Sequence, residues 1–259
     1  MTENQCFDPL KADLRYPPLP RELTDNRLSQ DIQTTENELK GLFRGTWYIS
    51  AGLNPAYDTF DCQIHNFYES KSKSTSSREG RRIIADAIFS YRVPTETTFF
   101  TKEGPKRLEL VSDVGVQGTA RSQHPIFESG QKWGMHQFEL GMPEDSGHIT
   151  NGYHLQLTLL PSTLNYKDEW TILSYSNDEQ HGYIVLAYRG VNSAFEGYGG
   201  LNVYTLRPTQ IKELLDARTR GTPSEREMTE GIEAGLRKLS LSLDDLKQVD
   251  NSCPDKRNI

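Results

Sequence analysis

A chain of 259 residues carries one large domain or two small ones, and 35% hydrophobic residues suffice for a packed core beneath a wet surface. The formal net charge of -7 offers no basic excess to neutralise phosphates, which excludes a non-specific nucleic-acid binder. No run of about 18 apolar residues occurs to make a spanning helix, and the opening MTENQCFDPLKADLRYPPLP lacks the apolar stretch of a secretory leader.

Residues 1–40 are proline-rich and polar and read as an extended N-terminal arm or linker. From Leu42 the texture changes. The runs GTWYISAG, DCQIHNFYES, RRIIADAIFSYRV, TTFFTKEG and RLELVSDVG are short, aromatic and β-branched, with Gly, Pro, Asn and Ser between them. GYHLQLTLLP, DEWTILSYSNDEQ, GYIVLAYRG and GLNVYTLRP continue the pattern to Pro208. Antiparallel strands at regular spacing have this signature, and eight or nine of them suit a closed barrel. The polar, glycine-rich stretch QGTARSQHPIFESGQKWGMHQFELGMPEDSGHITN, inside the barrel region 41–208, reads as a long loop or insertion.

Residues 209–259 read as a helical C-terminal tail packed on the barrel. Ile211, Leu214 and Leu215 share one helix face. Ser224 and Glu227 after Pro223 read as a capping box, and Ser242 as another cap. Cys6, Cys62 and Cys253 are odd in number and widely spaced, with no CxxC and no Cys/His set at metal-ligand spacing, so no metal site is expected.

Three features resemble lipocalins. Gly45-x-Trp47 at the entry to the first strand resembles the first lipocalin motif, with Trp47 plugging the closed end of the barrel. NDEQHGYIVLAYRG resembles the turn between late strands, and VYTLRP the third motif, which implies Arg207 stacked on Trp47. The resemblance implies an all-β, eight-stranded antiparallel lipocalin-like barrel with short C-terminal helices, holding one apolar ligand in its cup.

Longer segments resemble a narrower family. GTWYISAGLNPAYDTFDCQIHNFY, YKDEWTILSYS, YIVLAYRGVNSAFEGYGGLNVYT and VDNSC are similar, in this order, to the violaxanthin de-epoxidase family, from roughly Pro17 to Pro254. The resemblance implies a chloroplast enzyme of the thylakoid lumen that removes an epoxide from xanthophylls such as violaxanthin at the lipid surface. Ascorbate is the reductant and no metal takes part. Two alternatives stay open: a redox-neutral isomerase of violaxanthin, as in the de-epoxidase-like branch, and a non-catalytic carotenoid carrier. Whether a barrel without the family's Cys-rich domain turns over is open too.

Opening an epoxide needs an acid at the ring oxygen, because a bare alkoxide leaves poorly. Asp61 reads as a surface turn acid from the residues alone and as the catalytic acid from the resemblance. Gln63 and His65 follow at alternate spacing, which predicts one face for all three and an outward Cys62. Gln63 is a substrate contact or a satisfied barrel amide. His65 is a strand residue or a pH sensor. The family has a second histidine where this chain has Tyr68, which weakens both pH sensing and the low-pH homodimer that the resemblance implies. Cys62 and Cys253 match the family's barrel disulfide. Tyr188 matches a cavity tyrosine, read as the catalytic partner of Asp61. Asp168 and Tyr204, with Trp47, match positions lining the substrate site; core packing is the alternative for the aromatics. Asp58 reads as a second acid near Asp61 or as plain turn chemistry.

Overall fold

The computed structural model describes residues 32–54, 58, 60–70, 81–93, 96–101, 104–109, 132–143, 154–159, 167–192 and 195–252. It opens with a helix, α1, over Ile32–Leu42. The expected extended arm therefore ends by residue 31, which itself lies outside the described residues. Leu39, Leu42 and Phe43 explain the difference: at helical spacing all three reach the core, where each is 1% exposed.

Among the described residues the barrel region then contains β1 (Gly45–Gly52), β2 (Asp61–Tyr68), β3 (Arg81–Val93), β4 (Glu96–Thr101), β5 (Gly104–Glu109), β6 (Lys132–Pro143), β7 (His154–Leu159), β8 (Lys167–Ser176), β9 (Tyr183–Asn192) and β10 (Phe195–Thr205). β4 and β5 form a separate two-stranded hairpin. The other eight pair in the order β1-β2-β3-β6-β7-β8-β9-β10, and β10 pairs back onto β1, closing an antiparallel barrel. The expected all-β barrel is present. The expected long loop is interrupted by β6, which pairs with β3 from Arg81↔Pro143 to Val93↔Lys132. Its alternation of Phe138, Leu140 and Met142, all buried, is the strand signal within that polar stretch.

The barrel wall has two apolar faces on one side. Trp170, Ile172, Ile184, Leu186, Tyr188 and Tyr204 belong to the inner core. Leu173, Tyr183, Val185, Ala187, Leu201 and Val203 form the outer one, under helices α2 (Ile211–Arg220) and α3 (Pro223–Arg237). Leu214, Met228, Ile232 and Leu236 are the helix residues they meet. The cap of α3 is Thr222 with Glu225, two residues before the expected Ser224 and Glu227. Pro223 takes the first helical position, which makes the residue before it the cap. A 3-10 turn at Leu243–Asp245 has the expected Ser242 at its start. At the closed end α1 sets Phe43 against Phe67 (5.0 Å between centroids) and Trp170 (6.1 Å). Trp47 is buried there, whereas Arg207 is exposed.

β1 and β2 pair only from Gly45↔Phe67 to Tyr48↔Ile64 and then part. The segment after α3 fills the gap. Its short strand β11 (Lys247–Gln248) pairs with Ala51 and Gly52 of β1. The Val249 amide donates to Ser50 O, and the Cys62 amide of β2 donates to Asp250 O. Gln248 locks the wedge: its Nε2 donates to Ser50 O (2.8 Å), and its Oε1 accepts from the Ile211 amide (2.6 Å) at the start of α2.

Replacing Gln248 with alanine strands these main-chain groups at a part-buried seam. Each lost hydrogen bond costs about 1 kcal/mol, so Gln248→Ala is expected to lower unfolding free energy by about 2 kcal/mol in urea titrations at unchanged m-value.

Candidate functional site

The gap between β1 and β2 marks the end of the barrel opposite α1. The last residues of β1 and β9 and the first of β2, β8 and β10 meet there. The local chain is irregular where β2 leaves β1. Cys62 has φ +56°, and from Asp61↔Arg92 to Ile64↔Ser90 β2 advances three residues against two on β3, a β-bulge. Directly opposed residues share a face, and Ser90 and Arg92 lie two apart. Asp61 is therefore on the face of Ile64, not of His65. The expected row of Asp61, Gln63 and His65 is broken by the bulge. Asp61 is half-buried, whereas Gln63 and His65 are buried. Gln63 Nε2 donates to Phe60 O at 2.9 Å.

Cys62 was expected to point outward. It is wholly buried where the C-terminal wedge crosses β2, and it is disulfide-bonded. Cys253 lies outside the described residues, three positions past Asp250.

Below the mouth is a floor of rings. His65 stacks on Phe89 at 3.4 Å between centroids and 5° between planes, and Phe89 lies nearly parallel to Trp170 at 6.0 Å. The Tyr204 hydroxyl and His65 Nδ1 are 3.0 Å apart. Burial drives the His65 imidazole well below its usual pKa. Burial drives the Tyr204 phenol up. A neutral imidazole and a neutral phenol suit each other in an apolar barrel.

Above the floor stands a polar cluster. Asp168 is 4% exposed and starts the inner row of β8 that continues with Trp170 and Ile172. Its Oδ2 is 3.5 Å from the Trp170 indole nitrogen. Tyr188 on β9 faces Trp170 directly, so Asp168, opposite Gly190, is its diagonal neighbour on the inner face. Tyr188 in turn lies across Gly200 of β10, where a Cβ would fall 2.6 Å from its Cζ. Asn54, just past β1, donates its amide to Tyr188 Oη at 3.0 Å and to Gly199 O at 3.1 Å. Asp58 Oδ2 accepts from the Asn54 main-chain amide at 2.5 Å.

The structure thus gathers Gln63, Asp168 and Tyr188 at one end, over His65 and Tyr204. Trp47 lies directly opposite His65 on β1, level with the rings below the cluster, and Asp61 is on the opposite face of its strand. Asn54 is the polar residue that sequence reading missed. Its signal, Asn54-Pro55 after a strand, is ordinary turn chemistry and names no partner on β9.

A closed eight-stranded barrel with Gly45-x-Trp47 at its plugged end and a polar, buried cluster at its mouth is a lipocalin-type barrel. The chain belongs to the violaxanthin de-epoxidase family: the VDE lipocalin domain matches residues 20–251. It is 30% identical over 207 residues to the chloroplastic violaxanthin de-epoxidase of Arabidopsis thaliana, a match covering 79% of this chain and 32% of that protein. With the chloroplastic enzyme of Spinacia oleracea it shares 28% identity over 184 residues, 70% of this chain and 29% of that protein. The chain thus spans about a third of the length of these relatives. Among solved structures, apocrustacyanin C1 overlaps 85% of this chain and 88% of its own at a TM-score of 0.39 and 13% identity. The tryptamine complex of the amine binding protein of Rhodnius prolixus overlaps 81% and 78% at 0.40 and 11%. Overlaps this loose carry no weight for the site.

His65 sets a pH dependence with a definite sign. Its folded-state pKa lies below the unfolded value of about 6.5, so protons bind the unfolded chain preferentially as pH falls through that value. The stability it contributes is present above about pH 6.5 and is lost below it. Urea midpoints measured from pH 7.5 down to 5.5 are expected to fall, and His65→Gln is expected to flatten that slope.

Proposed function

We propose that this barrel processes a xanthophyll epoxide in the manner of a violaxanthin de-epoxidase. The observation that carries the proposal is the pairing of a buried carboxyl, Asp168, with the Tyr188 phenol above a ring-lined interior. An elongated polyene with an oxygenated end ring matches those two surfaces. The rings contact the apolar end group, and the polar cluster meets the epoxide oxygen.

The acid in this reading is Asp168 rather than Asp61. An acid that donates to an epoxide must keep its proton until the C–O bond breaks, and apolar surroundings favour the protonated form of a carboxyl in general. Asp168 stands on the inner face beside Tyr188, whereas the bulge takes Asp61 off that face. Tyr188 and Gln63 orient the oxygen, with Tyr204 and Trp170 packing against the ring. In the reductive route both C–O bonds of the epoxide break and the oxygen leaves as water. Two protons are consumed, and ascorbate, oxidised to dehydroascorbate, supplies two electrons. In the redox-neutral route one C–O bond breaks, a neighbouring carbon loses a proton and the oxygen stays as a hydroxyl. The names of the relatives favour the reductive route. They also support a chloroplast setting. The thylakoid lumen and its lipid surface belong to the same proposal, since the substrate is a membrane pigment. An oxidising compartment suits the Cys62 disulfide, for which Cys253 is the proposed partner.

The test is a product assay with violaxanthin in a lipid dispersion at mildly acidic pH, with and without ascorbate. An ascorbate-dependent, de-epoxidised pigment is expected. A product formed equally well without reductant would move the chain to the isomerase branch, and bound but unchanged pigment would leave a carrier. Removing a positioned general acid costs about 100-fold or more in rate. Asp168→Asn is therefore expected to lower kcat by at least that factor, with pigment binding retained, and Asp61→Asn to lower it far less.

A further inference from the structure

We infer that Asn54 is a positioning residue that fixes the Tyr188 hydroxyl as a hydrogen-bond donor toward the barrel interior. The inference rests on the epoxide-processing reading for its chemical consequence and on geometry for the assignment itself. A main-chain carbonyl only accepts hydrogen bonds, so the group of Asn54 that meets Gly199 O must be its NH2. That settles the orientation of the amide. The same nitrogen is 3.0 Å from Tyr188 Oη, which therefore accepts. A phenol has one hydrogen to give. With its oxygen taken up as an acceptor on the Asn54 side, Tyr188 points that hydrogen elsewhere, toward the inner face it shares with Asp168.

The amide is held for this task. Asn54 is wholly buried and Asp58 nearly so. Asp58 clamps it twice: its carboxylate accepts the Asn54 amide proton, and its own amide donates to Asn54 O at 2.9 Å. Gly52 makes room for the clamp, since a Cβ there would fall 2.8 Å from Asp58 Cγ. Gly200 likewise leaves space for the Tyr188 ring to reach Asn54. The consequence is chemical. A hydrogen bond donated into a phenol oxygen stabilises its anion, so Asn54 makes Tyr188 a better proton donor to the epoxide oxygen or a better relay from Asp168. Among the described residues, the titratable groups around Tyr188 are Asp168 on β8, Asp58 beside β1, and the His65–Tyr204 pair on β2 and β10.

The test places 2,3-difluorotyrosine at position 188, whose phenol ionises where the protein stays folded, and follows it by 19F NMR. Asn54→Ala is expected to raise the ionisation midpoint by about one pH unit, the size of one hydrogen bond to a charged group. Asn54→Asp, which puts an acceptor and a charge at the same place, is expected to raise it further. A midpoint unchanged in both variants overturns the assignment. Should neither variant fold, the unsubstituted protein decides. Its Asn54 side-chain amide protons are expected to exchange slowly and to show NOEs to the Tyr188 ring, and fast exchange without those NOEs overturns the assignment. In the violaxanthin assay, Asn54→Ala is expected to lower kcat about tenfold with KM unchanged. If the unsubstituted protein converts no pigment, the epoxide reading falls, while the 19F titration still decides the role of Asn54.

Discussion

The early parting of β1 and β2 is the constraint on which the mouth of this barrel depends. Four residue pairs hold the two strands together, and then a third chain segment takes over the edge of β1. β2, released from its partner, turns through Cys62 and gives its amide to Asp250. That single exchange of partners accounts for a positive φ at a cysteine and for the bulge against β3. It also frees the end of β1 to carry on past Gly52 and bring Asn54 under β10.

Closure on the other edge of β1 does the rest. β10 pairs with β1 from Asn202 to Thr205 and with β9 from Phe195 to Thr205, so Gly199 and Gly200 lie past the β1 pairing, next to Asn54 and Tyr188. Neither glycine carries a side chain to fill that space. The polar cluster is therefore a product of three strands and one turn, and no single stretch of sequence contains it. The helices secure this arrangement from outside. They bury the second face of β8, β9 and β10, which stiffens the wall carrying Asp168, Tyr188 and Tyr204 on its inner face.

What could be read from the sequence follows from where each force is local. Strand runs were legible because alternation is a property of neighbours two residues apart, and the tail helices because capping and spacing act over one turn. YIVLAYRG, apolar at nearly every position, was legible as a strand although it does not alternate; it is covered on both faces, as buried strands are. The barrel and its family were legible in long motifs. Three local misreadings have one cause, a tertiary contact overriding a local pattern. The helix at Ile32–Leu42 forms because the barrel end needs a plug. β6 lies in a polar, glycine-rich stretch and is a strand because β3 offers it a full edge. Asp61 leaves the His65 face because Asp250, nearly two hundred residues later, takes the Cys62 amide.

Neighbours also separate the three carboxylates near the mouth. Asp58, Asp61 and Asp168 all stand near one mouth, and their residue type does not separate them. Their neighbours do. Asp58 takes the Asn54 main-chain amide on its carboxylate and serves as a clamp. Asp61 sits half-buried on the far side of a bulge, against Arg92 of β3 in register. Asp168 is enclosed beside an indole and diagonal to a phenol whose own oxygen is already engaged by Asn54. Of the three, only Asp168 stands on the inner face with a second proton-bearing group beside it. In the proposed reaction an acid that hands a proton to a bound oxygen and is reloaded afterwards needs such a neighbour, and the pairing of β8 with β9 is what puts Tyr188 there.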